Sequence, residues 1–245
     1  MSRLLVLLLV VGFCSQVSAE DYVRELSLKQ GDAYLAEKKF QHALNAYSQV
    51  ILKEPKARVL AAYLGRVRAL AGLQDIPKAA DWARKATEAY PDSLEAWQTL
   101  GELYLTEHYL DPVRAEGIFR QMLALEPGHR AAHLYLARSL SYLKKIEEAI
   151  VILKAWTEGH PEDVEVRFKL AESHFAMSDH DLAEVELSAL LAQQPKHAKA
   201  VKLMSSIQSR KRWGFWLPVA ALMIIPFLVF GFRRLKRGQI PKDVD

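Results

Sequence analysis

AEGIFRQMLALEP, Ala115 to Pro127, opens on a small residue, carries helix formers throughout and stops on a proline. The same thirteen-residue phrase recurs as ALNAYSQVILKEP from Ala43, AADWARKATEAYP from Ala79, AIVILKAWTEGHP from Ala149 and AEVELSALLAQQP from Ala183. The closing prolines, Pro55, Pro91, Pro127, Pro161 and Pro195, are 36, 36, 34 and 34 residues apart. A fixed period in that range marks a repeat array, in which each unit is one supersecondary element and the stack supplies the core. The proline ends each phrase because its ring removes an amide donor and disfavours helix in the residue before it. The opening alanine belongs where two helices pass closest, since a larger side chain there overpacks by ~1 to 3 kcal/mol.

Upstream of each phrase lies a second helical stretch, clearest in the third unit, where Trp97, Leu100, Gly101 and Tyr104 recur on one helix face. The pattern resembles the tetratricopeptide repeat, a 34-residue antiparallel helix pair. Trp97, Leu100, Gly101, Tyr104, Ala115, Phe119 and Pro127 fill that family's positions in order, with about two extra residues in the turn around His108 to Asp111. The first unit keeps Gly31, Tyr34, Ala43, Tyr47 and Pro55; the fourth Leu136, Ala137, Ala149, Leu153 and Pro161; the fifth Leu170, Ala171, Ala183, Leu187 and Pro195. The second departs most, with Val67 and Ala83 at its small and bulky positions. The resemblance implies an all-α fold: a right-handed α-solenoid of about five helix pairs, with repeats at about 24–57, 60–93, 94–129, 130–163 and 164–197 of a domain spanning 20–198. Ala200, Leu203, Met204 and Ile207 then form an apolar stripe, which predicts a capping helix over 197–212.

The two ends read differently. Arg3, the apolar run Leu4 to Phe13 and the small residues Val17-Ser18-Ala19 give residues 1–19 the three-part pattern of a secretory signal peptide. Trp213 to Phe232 is a stretch without a charge, about 30 Å long as a helix, which predicts one transmembrane helix over 213–232. Arg233, Arg234, Lys236 and Arg237 begin a basic tail over 233–245. Together these segments predict a single-pass membrane protein of a bacterial inner membrane, with the solenoid in the periplasm and the C-terminus in the cytoplasm. Cleavage after Ala19 removes Cys14, the chain's single cysteine, and with it any disulfide or thiolate chemistry. Of 33 basic and 29 acidic residues, 24 and 27 lie between Glu20 and Ser209, so the repeat region is slightly acidic and nucleic acid is not an expected partner.

No nucleophile elbow, phosphate-binding glycine loop or zinc-protease motif is present in the sequence, so the chain is not expected to be an enzyme, and no cofactor or metal is expected. His129 and His133 are four apart, but helical histidines of this kind are more often solvated or half-buried than metal ligands. The tetratricopeptide resemblance implies a groove, lined by the first helix of each pair, that binds proteins or peptide segments. The slots with which one branch of the family grips C-terminal carboxylates hold Leu28, Asp32, Gly65, Glu95 and Thr99, which cannot do so. In the fourth unit the off-core positions are Tyr135, Arg138 and Tyr142; in the fifth, Phe168, Lys169, Glu172 and Phe175. By that resemblance these seven residues point into the groove. The expected function is a membrane-anchored interaction scaffold outside the cytoplasm, an assembly or maturation factor for an envelope complex with a membrane-proximal protein partner. The alternative is a polysaccharide-binding solenoid in polymer export.

Overall fold

The computed structural model describes residues 19–53 and 59–212, and among them every regular element is helical. They belong to two compact units, one ending at Lys145 and the other beginning at Ile146. The first holds α1 (Ala19–Ala36), α2 (Phe40–Lys53), α3 (Leu60–Gly72), α4 (Ile76–Ala89), α5 (Leu94–Leu103), a short 3-10 turn (Glu107–Tyr109), α6 (Pro112–Leu125) and α7 (Arg130–Tyr142). The second holds α8 (Ile146–Gly159), α9 (Val164–Ala176), α10 (His180–Gln193) and α11, over residues 198–212.

The phrase that opens each second helix does what its composition requires. Ala43, Ala79, Ala115, Ala149 and Ala183 are all 0% exposed, at the places where a larger side chain has no room. The aromatic rings of the phrase lodge against glycine backbone. The Tyr47 ring lies against Gly31 of α1 and Gly65 of α3, and the Phe119 ring against Gly101 of α5. Tyr47 is further fixed by donating its hydroxyl to Asp32 Oδ1 at 2.6 Å. Burial, reinforced by the bond to the Asp32 carboxylate, raises its pKa above the usual tyrosine range.

Helix ends are set by side chains. Asp75, Ser93, Asp111 and Asp163 accept from backbone amides at the starts of α4, α5, α6 and α9, the standard use of these residues at an N-cap. Within four pairs the turn passes through a left-handed residue, at Lys38, Gln74, Lys144 and Ser178. The closing prolines have a second role: the Pro91 carbonyl accepts from Trp97 Nε1 at 2.7 Å, and the Pro161 carbonyl from Arg167 Nη2 at 3.0 Å. His133 Nε2 meets the Pro127 carbonyl in the same way, at 2.8 Å.

In the second unit Phe168, Ala171, Ala183, Leu187, Leu190, Ala200 and Ile207 form one buried cluster, with Leu203 and Met204 packed on it. The stripe on α11 is thus covered by α9 and α10. Glu116, on α6 of the first unit, is bonded by Arg120 and Lys145. Burial pushes its carboxyl up, and those two cations more than reverse it, holding it below the usual range.

The single-pass membrane localisation expected from the sequence is corrected here. Among the described residues no helix is long and apolar enough to cross a membrane. The longest, α1, has 18 residues and carries charges at Asp21, Arg24, Glu25, Lys29 and Asp32, as a helix with a solvated face does. Residues 1–18 of the expected signal peptide, the stretch Trp213 to Phe232 and the basic tail lie outside the described residues.

Candidate functional site

The seven residues singled out in the sequence divide between α7 of the first unit and α9 of the second. On α7, Leu136, Ala137 and Leu140 are buried and leave a neighbouring face to Tyr135, Arg138 and Tyr142. Tyr135 is half-buried, its ring stacked on Phe119 with centroids 5.2 Å apart. Arg138 is exposed; its Nη2 donates to the Leu105 carbonyl at 3.3 Å and approaches the Tyr142 hydroxyl at 3.4 Å. Leu105 follows the C-terminal end of α5, so the guanidinium sits where orphan helix carbonyls favour a cation. Tyr142 is 44% exposed, and the Arg138 guanidinium carbon lies 5.7 Å from its ring centre. No carboxylate among the described residues pairs with Arg138, so α7 presents a positive charge beside an open ring.

On α9 the arrangement is different. Phe168 does not sit on an open face: it is 6% exposed, belongs to the core cluster with Leu187 and Ile207, and its ring lies 5.3 Å from that of His197. The expectation that it lines a groove is corrected, because α10 and α11 cover the flank of α9 on which it lies. Phe175 is half-buried against the same cluster, with the His180 ring 5.3 Å away and the Arg210 guanidinium 4.8 Å over its face. Lys169 is exposed and donates to Glu172 at 2.6 Å, so the two charges offset one another. Of the α9 residues singled out, Lys169 alone is exposed.

Two further polar pairs join residues whose pairing the sequence did not show. Arg68 of α3 pairs with Glu95 of α5 at 2.8 Å, and Asp32 of α1 holds Tyr47. Arg68 and Arg138 occupy the same place in their respective helices, and that equivalence is the signal that could have found the first from the second. His129 and His133 serve the backbone: His129 Nδ1 accepts from the Ala132 amide at 3.2 Å, and His133 meets the Pro127 carbonyl. Among the described residues no group of three or more His, Cys, Asp or Glu side chains is arranged to hold a metal ion.

Helix pairs with small residues at their crossings, proline-ended second helices and an uncommitted face on first helices define an all-helical repeat scaffold. Models of the tetratricopeptide repeat match residues 28–93, 111–163 and 144–207, and the chain belongs to that family. No curated protein matches the sequence. Solved structures of similar fold include a tetratricopeptide repeat protein from Parabacteroides merdae, at TM-score 0.62 and 18% identity over 80% of this chain and 74% of that one. YrrB, described as a tetratricopeptide repeat protein with an unusual peptide-binding site, is similar at TM-score 0.59 and 18% identity, over 72% of this chain and 89% of its own. A thermophilic protein of the family from Thermus thermophilus gives TM-score 0.54 and 20% identity over 76% of this chain and 98% of its own. At these identities the likeness shows the fold.

Proposed function

We propose that the chain is a non-catalytic scaffold that holds a segment of a protein partner against the first-helix face, and so acts as an assembly or maturation factor for a multi-protein complex. The observation that carries this reading is the pair Arg138 and Tyr142, an arginine without a carboxylate beside a tyrosine left open to solvent. Arginine and tyrosine are the residue types that most often anchor protein interfaces. On α9 of the other unit, the polar pair Lys169 and Glu172, with the exposed part of Phe175, offers a lesser contact surface of its own. Membership of a family that binds protein and peptide partners supports the reading, as does the peptide-binding site for which YrrB is described.

The test is partner capture by the affinity-tagged full chain, with and without Arg138→Gln and Tyr142→Ala. Each anchor is expected to contribute ~2 kcal/mol or more, about thirtyfold in affinity, while far-ultraviolet circular dichroism stays unchanged. Capture that survives both substitutions refutes the site. A captured partner that resists protease and yields to glycosidase refutes the protein-binding reading in favour of a polymer.

A further inference from the structure

The first unit carries a second uncommitted cationic surface, built from α2, α3 and α4 and separate from the α7 anchor. The repeat register that places Leu100, Leu136 and Leu170 in the core, at 4%, 1% and 1% exposure, places Arg66 at that position of α3. Arg66 is half-buried, and its guanidinium carbon lies 4.0 Å from the centre of the Trp82 ring. Lys85, exposed and one turn further along α4, brings its ammonium to 4.2 Å from the same ring centre. Two like charges therefore share one indole. Among the described residues neither pairs with a carboxylate; Arg66 Nη1 donates to Ser48 Oγ at 2.7 Å, and the Ser48 proton goes to the Leu44 carbonyl.

Two other arginines of the chain are met by carboxylates. Arg84, on the same helix as Lys85, is met by Asp81 and Glu88 at 3.6 and 2.7 Å. In the second unit Arg167 is comparably buried, and Glu186 pairs with it at 2.6 Å. Glu186 occupies in α10 the place that Trp82 occupies in α4. Arg167 in turn aligns with Tyr63, so the ion pair of the fifth repeat is replaced in the second by a pair of rings, and Arg66, three residues further on, meets the Trp82 ring without a carboxylate.

We propose that this surface docks an acidic segment of a protein partner, whose carboxylates pair with Arg66 and Lys85. The two distances to the ring centre put the charged groups no further than about 8 Å apart, within reach of carboxylates on one short segment, each accepting a charge-assisted bond of ~2.8 Å. Arg66 Nη1 is occupied by Ser48 and Nε is sealed from solvent without a partner, so the guanidinium has Nη2 to offer as a single bond and not the two-pronged fork that carboxylates and phosphates both favour. One carboxylate on Arg66 and another on Lys85 would each take a single donor, as neighbouring acidic residues of one segment can. Tyr63, with its ring 5.8 Å from Trp82, adds apolar surface beside the charges, which suits an acidic residue flanked by an apolar one.

The experiment follows the Trp82 indole resonance of the full chain by NMR as three probes are added at matched ionic strength: a peptide alternating leucine and glutamate, its glutamine analogue, and inorganic phosphate. The acidic peptide is expected to shift the resonance saturably and the other two to leave it in place. Arg66→Leu, which restores the register's leucine, and Lys85→Gln are each expected to weaken binding about tenfold, the loss of one charge-assisted bond. Lys85 is exposed, so its variant tests the surface even if Arg66→Leu disturbs folding. The proposal is overturned if the glutamine analogue binds equally, if phosphate displaces the peptide, if the acidic peptide produces no shift, or if Lys85→Gln binds as tightly as the parent.

Discussion

Gly65→Ala and Gly117→Ala make the same chemical change in two helices and are expected to move stability in opposite directions. Both glycines lie inside helices, α3 and α6, and neither has a positive φ. In each case the methyl restricts the unfolded chain and improves helix propensity, a gain of about 0.8–1 kcal/mol. At Gly117 nothing lies within 4 Å of the added carbon, so the gain stands. At Gly65 the same carbon would sit 2.4 Å from Cε1 and Cζ of Tyr47. That ring has nowhere to retreat: a carbon on Gly31 would meet it at 2.6 Å, it is 1% exposed, and Asp32 holds its hydroxyl. Overpacking against a fixed ring belongs at the upper end of the usual ~1–3 kcal/mol, leaving a net loss of about 2 kcal/mol.

Urea unfolding followed by circular dichroism reads the total. Amide hydrogen exchange across α2 and α3 reads where the loss falls, because repeat arrays need not unfold as one cooperative unit. The reasoning is refuted if Gly65→Ala is as stable as the parent, or if Gly117→Ala is destabilised. A sharper test replaces the ring as well. In a Tyr47→Leu background Gly65→Ala is expected to lose most of its cost, a coupling of about 0.5–3 kcal/mol between the two sites.

Two other outcomes follow from buried rings. The folded-state pKa of Tyr47 is raised, so its contribution is present below the unfolded value of about 10 and is lost as pH rises beyond it; Tyr47→Phe is expected to flatten the alkaline fall in stability measured by urea unfolding across that range. Phe168→Ala is expected to cost about 3–5 kcal/mol in the second unit, and under conditions where the variant remains folded it is expected to leave partner capture intact; lost capture by a stable variant counts against its place in the core.

The parts of the fold that were legible are those where chemistry leaves one choice. A helix crossing without room demands alanine, and a helix that must stop accepts proline, so five phrases spaced by the repeat period read directly as second helices. Aromatics carry no such constraint. Tyr142 and Phe168 look alike as off-core residues, but one is open and the other packed under α10 and α11, because sequence periodicity shows which helix face is apolar and not which flank the next helix covers. The second repeat illustrates the same limit. Val67 stands at the position expected to be small and is itself buried, while close approach falls on Gly65, two residues earlier, against a ring from the preceding pair. The tie from Trp97 to the Pro91 carbonyl was also hidden, since a tryptophan on a helix face signals burial but not the direction of its N–H.

Regular repeats make irregular charges informative. A half-buried cation loses part of its hydration when the chain folds, and a carboxylate placed beside it in the same chain offsets that loss, as Glu186 does for Arg167. Arg66 is left with a hydroxyl and a ring, which recover less, so the free chain carries an uncompensated desolvation cost at that position. Burial accordingly lowers its pKa. Three of the five repeats place leucine there, and leucine would remove the cost. An arginine that weakens the isolated repeat, at a position where the fold prefers leucine, gains most from a carboxylate that arrives from outside. The same logic separates the two proposed surfaces. Arg138 is exposed and already rests on a helix carbonyl, so it contributes to binding mainly through contact, whereas a carboxylate at Arg66 would also offset a desolvation cost that folding left behind.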